Sequence, residues 1–534
     1  MSAPESRKPS QAKLSCAEPR SRILLLAPFA VLLAILAARS LTWRIEHDLP
    51  LAHYSAFMHA EYGTKPYEQL FEISFPGTIL VHLGITSVFG YGDRGLMVAN
   101  AVWFAALAGV TWALMRRFGR VVAAGAVTFF GLAYFASGQG MMMQRDCILI
   151  LFIAAALVVH AREFGRELGP TAGRAIVGLL IGAAAAIKPH AAVALLPILV
   201  DDLSPMRLGR AGRALFAYGA GFAVPWACVF AWLLAAGGFS GWLEMSRSYL
   251  PLYLHMTGDH KTIQGTARIL DLACGFLAFG EHTAWFLGAG AGAAIALTRI
   301  DRHSPDWRVG RLLLGEALAF AVYPVFAGQF WSYHYMPFVY FLTLLASLCL
   351  VRLASPHSTT EALLPKVALL VSLLANGAIV TAAARLGRQE AVGYGEVDEM
   401  AAFLEGHLRP GDTVQPLDWT GGAVHAMLIA RARLATRFMY DYHFYHHVSN
   451  PFVKLLRRRF IGELEAAEPR FFIEYFGADK PWPEGDDTTR DFPELRQFIA
   501  SNYAIALAAT NYRIYERDQS TSYCTACGGL EDPR

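Results

Sequence analysis

Runs of about 20 apolar residues recur along the first 386 positions of this chain, and they restrict its fold more than any other feature. An α-helix of that length crosses the hydrocarbon core of a bilayer. The sequence therefore predicts an α-helical multi-pass membrane protein with about 11 transmembrane helices. The predicted spans are 23–43, 97–115, 121–139, 147–161, 174–187, 189–200, 214–237, 281–298, 312–330, 335–353 and 366–386.

Charged residues are spread unevenly along the 534 positions, and their distribution separates a second domain from the membrane-embedded part. The last 148 residues hold 38 charged residues, whereas the first 386 hold 51. A fraction near one quarter is ordinary for a soluble domain, so a soluble domain is predicted to follow the spans. The net charge of +3 is too small and too dispersed for a nucleic-acid-binding protein.

The basic residues predict the orientation of the chain. The first span follows a basic leader, and its apolar run is too long for a signal peptide, so we interpret it as a retained anchor rather than a cleaved segment. With the N-terminus in the cytoplasm, the inner segments hold 20 Lys and Arg, and the outer ones hold 11 before the terminal domain. Inner loops carry this excess, and eleven spans then put the C-terminal domain outside. Arg outnumbers Lys 38 to 8, which is typical of a GC-rich genome, so the predicted location is the inner (plasma) membrane of a bacterium.

The predicted organisation has four parts. They are a cytoplasmic basic tail (1–22), a transmembrane module (23–386) with long outer loops at 44–96 and 238–280, an extracytoplasmic α/β domain (390–518) and a flexible tail (519–534). In the first outer loop, Thr78–Phe89 is apolar but too short for a span, which predicts a helix on the membrane surface. In the terminal domain, the periodicity predicts helices at 397–408, 452–467 and 492–502 and strands at 413–417, 470–476, 504–508 and 512–516. Cys524 and Cys527 in the tail lack the second ligand pair that a zinc site needs.

Acidic and basic side chains cluster just past the first span. The chain reads Glu46-His47-Asp48 there, and Lys65 and Phe71-Glu72 follow. Such charges are common in a solvated loop. Asp48, however, comes five residues after position 43. Its carboxylate is therefore expected at the membrane interface, where a lipid-linked substrate presents its head group.

Three further polar motifs lie at the outer ends of predicted spans: Gln144-Arg145-Asp146, Lys188-Pro189-His190 and Tyr333-His334-Tyr335. Ionisable residues at membrane depth are costly and often functional. A simpler role is open to each: an Arg145–Asp146 pair at a helix start, a Lys188 side chain that reaches for lipid head groups, and an ordinary interfacial His334. Their common position on the outer face favours a single site.

In order and topology these motifs resemble the GT-C superfamily of membrane glycosyltransferases, in particular the branch of protein O-mannosyltransferases and the lipid A aminoarabinose transferase. The resemblance covers the whole chain: a first-loop acid, a Tyr…Gly-x-x-Pro-Tyr…Phe-Glu…Pro series, an Arg-Asp turn, a mid-chain Lys-Pro, and a His-Tyr-x-x-Pro that opens a late span. There are two departures. Many relatives carry Asp-Glu where this chain has His47-Asp48, and the aminoarabinose transferases have Lys-Pro-Pro where it has Ser74-Phe75-Pro76-Gly77.

The resemblance implies transfer of a sugar from a polyprenyl-phosphate donor to a hydroxyl of a lipid, glycan or protein acceptor at the outer face of the membrane, by a single displacement with inversion. Asp48 matches the family's proposed base. Asp146 matches its second-loop acid, which is expected to orient the acceptor or to hold an arginine.

The leaving phosphate needs cations and hydrogen-bond donors. The expected donor-binding residues are Arg145 and Lys188, with Tyr333 and His334 as hydrogen-bond donors. Candidate accessory residues are Glu46, His47 and Lys65. No metal ligand is assigned, and the first-loop departure leaves open whether a divalent metal takes part.

Two other classes of protein are weighed against the transferase. A transporter or flippase for a lipid or glycan is typically built from inverted repeats, with charges near the middle of the bilayer. Here the charges are expected at the outer rim, and no matched halves are seen in the sequence. A non-enzymatic assembly or receptor protein would use the terminal domain, with its aromatic and histidine residues at Tyr440–His447, to bind a partner.

Overall fold

A computed structural model describes residues 24, 26–46, 48–163, 170–204, 208–278, 280–351, 359–385, 394–478 and 480–518. The predicted cytoplasmic tail, His47 and the C-terminal tail with Cys524 and Cys527 lie outside the described residues.

Helices make up almost all of the first part of the chain. They are α1 (Ala27–Ser40), α2 (Leu49–Tyr62), α3 (Pro76–Phe89), α4 (Asp93–Met115), α5 (Arg120–Ala136), α6 (Arg145–Glu163), α7 (Pro170–Ile187), α8 (Leu195–Leu203), α9 (Leu208–Ala235), α10 (Phe239–Glu244), α11 (Leu250–Tyr253), α12 (Ala267–Leu277), α13 (Phe286–Thr298), α14 (Pro305–Ala321), α15 (Tyr323–Ala327), α16 (Met336–Ser347) and α17 (Thr359–Arg385). Within the described ranges, six helical segments are long and apolar enough to cross a membrane: Asp93–Phe118, Pro170–Ile187, Gly209–Ala235, Pro305–Ala327, Ser332–Leu350 and Leu363–Ala382. Shorter apolar helices are found at Ala27–Ser40, Pro76–Phe89, Arg120–Ala136 and Thr283–Thr298. A helical, multi-pass body is thereby confirmed, while the number of eleven spans stays a prediction.

The predicted span at 189–200 differs from a regular helix. Pro189 opens a 3₁₀ segment, Pro189–Ala194, and α8 adds nine more residues. Six residues at about 2.0 Å and nine at about 1.5 Å give about 25 Å, short of the ~30 Å bilayer core. The break has a local cause, since proline disfavours the helical conformation for the residue before it.

The two segments predicted as outer loops, 44–96 and 238–280, contain helices of their own, and we keep the name outer loops for them. The first holds α2 and α3, and the predicted helix at Thr78–Phe89 is confirmed as α3, which begins two residues earlier. Its 14 residues span about 21 Å, too little to cross a bilayer. The second loop holds the short helices α10, α11 and α12.

The C-terminal part combines helices with one five-stranded sheet. Its elements are α18 (Tyr394–His407), β1 (Thr413–Leu417), α19 (Ala423–Ile429), β2 (Arg433–Leu434), α20 (Pro451–Ala467), β3 (Phe471–Tyr475), α21 (Pro493–Asn502), β4 (Tyr503–Ala508) and β5 (Tyr512–Arg517). The sheet order is β2-β1-β3-β5-β4, with β2, β1 and β3 parallel and β5 antiparallel to its neighbours. All three predicted helices and all four predicted strands are confirmed. Sequence patterns missed α19 and β2.

The C-terminal part packs directly on the outer loops. The His443 ring makes edge contacts with Phe71 and Tyr249 at centroid distances of 4.7 and 4.8 Å. Tyr54 of α2 donates a 2.7 Å hydrogen bond to the carbonyl of Ala432. One apolar cluster therefore runs from the outer loops into the sheet, and the carboxyl ends of β1 and β3 can contribute to a site with the outer loops.

Candidate active site

Asp48 lies at the start of α2, where an aspartate usually caps its own helix. It makes no such cap hydrogen bond. Its Oδ2 instead accepts a 2.9 Å hydrogen bond from Nη2 of Arg145. The side chain is 27% exposed, so this carboxylate is both paired and accessible. A cap worth about 1 kcal/mol is forgone, which favours a role other than stability.

Arg145 and Asp146 are the first two residues of α6, yet they belong to different ion pairs. Consecutive helix residues are separated by about 100° around the axis. Arg145 therefore faces Asp48 and also donates from Nη1 to Ser74 Oγ at 3.2 Å. Asp146 turns the other way and is fully buried. The alternative of a mutual Arg145–Asp146 pair is not the arrangement found.

Asp146 is held by Lys188 and Tyr323. Lys188 Nζ lies 2.9 and 2.8 Å from the two carboxylate oxygens, and the Tyr323 hydroxyl donates to Oδ1 at 2.6 Å. The expectation that Asp146 would hold an arginine is wrong, because lysine is its partner. Asp146 is 0% accessible, and its oxygens contact Lys188 and Tyr323. A role in orienting the acceptor stays a prediction.

The position of Lys188 follows from the helix break at Pro189. Lys188 adopts an extended backbone (φ −147°, ψ 112°) directly after α7, as a residue before proline prefers. The start of α3 packs against this end of α7, and a Cβ at Gly77 would lie only 2.3 Å from the Ala186 carbonyl oxygen. Thr78 Oγ1 donates to the next carbonyl, that of Ile187, at 3.2 Å. The Ser74–Thr78 segment thus fixes the backbone that presents Lys188.

Glu72 shapes the loop that carries Ser74. Its Oε1 accepts from the backbone amides of Ile73 and Ser74 at 2.8 and 2.9 Å, and its Oε2 accepts from Ser55 at 3.2 Å. Glu72 is 3% exposed, so its carboxylate stabilises the loop conformation through these hydrogen bonds. Ser74–Gly77 stands where the resembled family has its Lys-Pro-Pro stretch. Ser74 of this segment contacts Arg145, and Gly77 packs against the end of α7 that precedes Lys188.

Tyr333 and His334 flank Lys188 from the segment before α16. The Tyr333 ring centroid lies 5.7 Å from Lys188 Nζ, and the Tyr323 centroid lies 5.5 Å away, so aromatic faces cover the ammonium. His334 is 2% exposed and donates from Nδ1 to the Gln329 carbonyl at 2.8 Å. His334 is therefore a buried residue next to Tyr333, and its Nδ1 is occupied by the Gln329 carbonyl.

Of the three accessory candidates, His47 lies outside the described residues. Glu46 is half-buried beside Asp48 in sequence. Lys65 is exposed, and its side-chain carbons lie near Gly237, where a Cβ would be 3.2 Å from Cδ. No contact among the described residues links Lys65 to the two ion pairs.

A cavity of about 300 Å³ opens beside Asp48, between the outer loops and the C-terminal part. We call it the interface cavity. Its lining residues are Asp48, Asp259, His260, Trp331, Tyr333, Thr420, Ala478 and Pro481. Thr420 follows β1, and Ala478 and Pro481 follow β3, so the carboxyl ends of two parallel strands form one wall. Ligands of α/β sheets commonly bind at that edge.

Asp418 builds this wall. Its oxygens accept from the backbone amides of Trp419, Gly421 and Ala423 at 2.6, 2.9 and 3.0 Å. Burial raises the pKa of Asp418 above its ordinary value, against the opposing effect of nearby Lys480. Lys480 in turn donates to the Leu417 carbonyl at 2.9 Å and to Asp441 at 2.7 Å. Asp418, Lys480 and Asp441 thus stabilise the loops after β1 and β3.

A second cavity, about 360 Å³, shares the Phe330–Met336 segment with the first. Trp331 and Tyr333 line the interface cavity, whereas Ser332 and Tyr335 line the second one. Asp271, Glu281 and His282 complete its polar lining.

The described residues, which omit His47, contain no group of three or more His, Cys, Asp or Glu side chains arranged to hold a metal ion. The donor set at Asp48 is a single described carboxylate that faces a guanidinium, which does not fit a divalent cation.

Several residues of the site escaped sequence analysis. In the sequence, Tyr323 lies within the predicted span 312–330, Trp331 directly follows that span, and neither stands out from the other aromatic residues. Asp259 and His260 lie in the second predicted outer loop. In the sequence, Ser74 stands out only as part of the departure from the Lys-Pro-Pro stretch of the resembled family. Only the tertiary contacts identify them, since Tyr323 lies 177 positions from Asp146.

No family model matches the sequence, and no curated protein matches it significantly. Solved structures do match. ArnT from Cupriavidus metallidurans bound to undecaprenyl phosphate aligns with a TM-score of 0.60 at 14% identity, over 93% of this chain and 98% of that one. The apo state of the same protein aligns with a TM-score of 0.57 at 14% identity, over 94% and 99%. The AglB oligosaccharyltransferase of Archaeoglobus fulgidus aligns less well, with a TM-score of 0.47 at 11% identity, over 86% and 70%. The chain therefore has the fold of these ArnT structures.

Proposed function

We propose that this protein transfers a sugar from a polyprenyl-phosphate donor to an acceptor hydroxyl at the outer face of the membrane, with Asp48 as the base. The observation that carries the proposal is the accessible Asp48–Arg145 pair at the rim of the interface cavity. A second cation, Lys188, stands behind it. The ArnT structure of the same fold holds undecaprenyl phosphate, a lipid of the donor class.

The two cations have different roles in this proposal. Lys188 is fixed by Asp146 and Tyr323 and offers a preorganised positive charge to the donor phosphate. Arg145 is shared between Asp48 and Ser74, and its side chain is 25% exposed. A donor phosphate that draws Arg145 away leaves the Asp48 carboxylate free to accept a proton from the acceptor hydroxyl. Asp146 is then a positioning residue for Lys188.

The reaction requires one proton transfer and one displacement. The acceptor hydroxyl gives its proton to Asp48, and its oxygen attacks the anomeric carbon of the donor sugar. The bond from that carbon to the phosphate oxygen breaks, and the polyprenyl phosphate leaves with the electron pair. Arg145 and Lys188 stabilise the charge that develops on the leaving oxygen.

Asp48→Asn tests the assignment of the base. The variant keeps the shape and removes the basicity, so transfer from a polyprenyl-phosphate sugar in liposomes should fall by at least about 100-fold. Its thermal unfolding midpoint should change little, because the carboxylate is partly exposed and caps no helix. Exposed Asp398→Asn, which removes a surface carboxylate of α18, is the matched control. Near-normal turnover by folded Asp48→Asn would remove Asp48 as the base.

A reporter fusion tests the outer-face assignment. A reporter active only outside the cytoplasm should be active after residue 390 and silent near Arg210. The reverse pattern would put the interface cavity in the cytoplasm and would overturn the proposed topology.

A further inference from the structure

The proposed function says where a hydroxyl is deprotonated but not what carries it. We infer that the interface cavity receives an uncharged sugar ring as the acceptor, a step that rests on the proposed role of Asp48. Within the Asp48–Arg145 pair, it is Asp48 that lines the cavity. Arg145 and Lys188, the proposed phosphate ligands, are not among its lining residues. The cavity therefore lies on the acceptor side of the base.

Its charge selects against anionic acceptors. Two carboxylates, Asp48 and Asp259, line the cavity, and its described lining includes neither Lys nor Arg. Asp259 is held in place by Trp482, whose backbone amide donates to Oδ2 at 2.9 Å and whose carbonyl accepts from the Asp259 amide at 3.2 Å. A phosphate or carboxylate on the acceptor would meet the charges of Asp259 and Asp48, and the cation beside Asp48, Arg145, is already paired with it.

Its aromatic lining suits a sugar ring. His260 stacks on Trp419 at a centroid distance of 4.1 Å and an interplanar angle of 19°, and it lies 5.4 Å from Trp331. A sugar ring has apolar C–H faces and a rim of hydroxyls. Aromatic surfaces bury the C–H faces, and the carboxylates accept from the hydroxyls. The volume of about 300 Å³ is at the small end of ligand pockets and fits a sugar unit better than a folded protein segment.

Saturation-transfer difference NMR on the full-length protein in nanodiscs tests this inference without any transfer reaction. The neutral probes are methyl α-D-glucopyranoside, methyl α-D-mannopyranoside and methyl α-D-arabinofuranoside. The anionic probes are methyl α-D-glucuronide and mannose 6-phosphate. At least one neutral probe should bind through its ring C–H protons, and the anionic partners should bind about tenfold more weakly, the size expected for like charges at partial solvent exposure.

Asp259→Asn keeps the Trp482 hydrogen bond through its amide oxygen while removing one charge. It should narrow the difference between glucoside and glucuronide at least about threefold. Asp486→Asn, on an exposed part of the same loop region, should leave that difference unchanged. Trp331→Ala should abolish the ring signal and Trp331→Phe should retain part of it.

Opposite results have distinct meanings. Anionic probes that bind as well as neutral ones, or no binding by any neutral probe, would overturn the inference. Displacement of the glycoside by saturating undecaprenyl phosphate would put the glycoside in the donor site and would also overturn it. Efficient transfer onto a phosphorylated acceptor would refute the inference and leave the proposed function standing. Sugar binding with full activity of Asp48→Asn would refute the assignment of the base. The preference of the cavity for neutral sugars would then stand without the acceptor role.

Discussion

The buried Asp146–Lys188 pair offers the sharpest test of the site, because its contributions to stability and to donor binding can be separated. Asp146 has a side chain that is 0% exposed, and Lys188 is 11% exposed. Removing one member of such a pair leaves the other charge buried without its partner, which costs about 3–5 kcal/mol. Asp146→Asn still accepts from Tyr323, so its cost should be near 3 kcal/mol. Lys188→Met should cost a similar amount.

The double variant Asp146→Asn/Lys188→Met removes both charges, so its stability should return to within about 1 kcal/mol of the original protein. Its affinity for undecaprenyl phosphate should not return, because the charge-assisted hydrogen bond to the phosphate, worth about 1.5–3 kcal/mol, is gone. Tenfold or weaker binding is therefore expected for both Lys188→Met and the double variant. The measurements are thermal unfolding midpoints in detergent and native mass spectrometry with undecaprenyl phosphate.

The Arg174–Asp202 pair is the control for this experiment. Its two hydrogen bonds are 2.6 and 3.1 Å long, and its side chains are 14% and 11% exposed. By the same argument, Asp202→Asn/Arg174→Met should keep stability within about 1 kcal/mol of the original protein, and it should leave lipid binding unchanged. Original-level lipid binding by the Asp146→Asn/Lys188→Met protein would refute the role of Lys188 as a phosphate ligand.

Two further predictions concern packing at the site and pH. Gly77→Ala should lower the free energy of unfolding by about 1–3 kcal/mol and turnover by about 100-fold, because its Cβ would lie 2.3 Å from the Ala186 oxygen and displace the end of α7. Gly84→Ala on the same helix is the control, since its Cβ would have no atom within 4 Å, and it should change neither quantity. Equal effects of the two variants would contradict the packing argument. Burial lowers the pKa of His443 from 6.5 to about 3. Below pH 6.5 the unfolded chain therefore binds a proton that the folded protein does not. The free energy of unfolding is unaffected above pH 6.5 and falls as the pH drops towards 3, by at most about 1.4 kcal/mol per pH unit. His443→Phe should reduce this acid sensitivity in melts at pH 7.5 and 5.0, since neither ring nitrogen has a hydrogen-bond partner in the described part of the chain, and exposed His407→Gln should not.

Local patterns predicted the elements of this fold but not how the site is assembled. The helices and strands of the terminal domain repeat their periods over enough residues to be recognised, whereas α19 has seven residues and β2 has two, too few for a period. The position of Asp48 was readable from its distance to the first span. Its pairing with Arg145 was not, because 97 positions separate them and only tertiary packing decides which cation each acid meets. The partner of Asp146 depends likewise on the helix break at Pro189.

The division of four charges into two pairs has a consequence for the proposed reaction. Asp48, Asp146, Arg145 and Lys188 sum to zero, so a bound polyprenyl-phosphate sugar, a phosphodiester with one negative charge, brings the total to −1. After transfer, Asp48 is neutral and the four residues sum to +1, while the leaving phosphate monoester carries up to −2. The total stays at −1, because the proton that Asp48 accepts balances the charge that the phosphate gains. Separating charge in a low-dielectric site is costly. Asp48, the base, and Arg145, a phosphate ligand, belong to one ion pair. Proton transfer to Asp48 therefore favours the breakage of the bond to the phosphate, because the charge lost by one group is gained by the other at the same place.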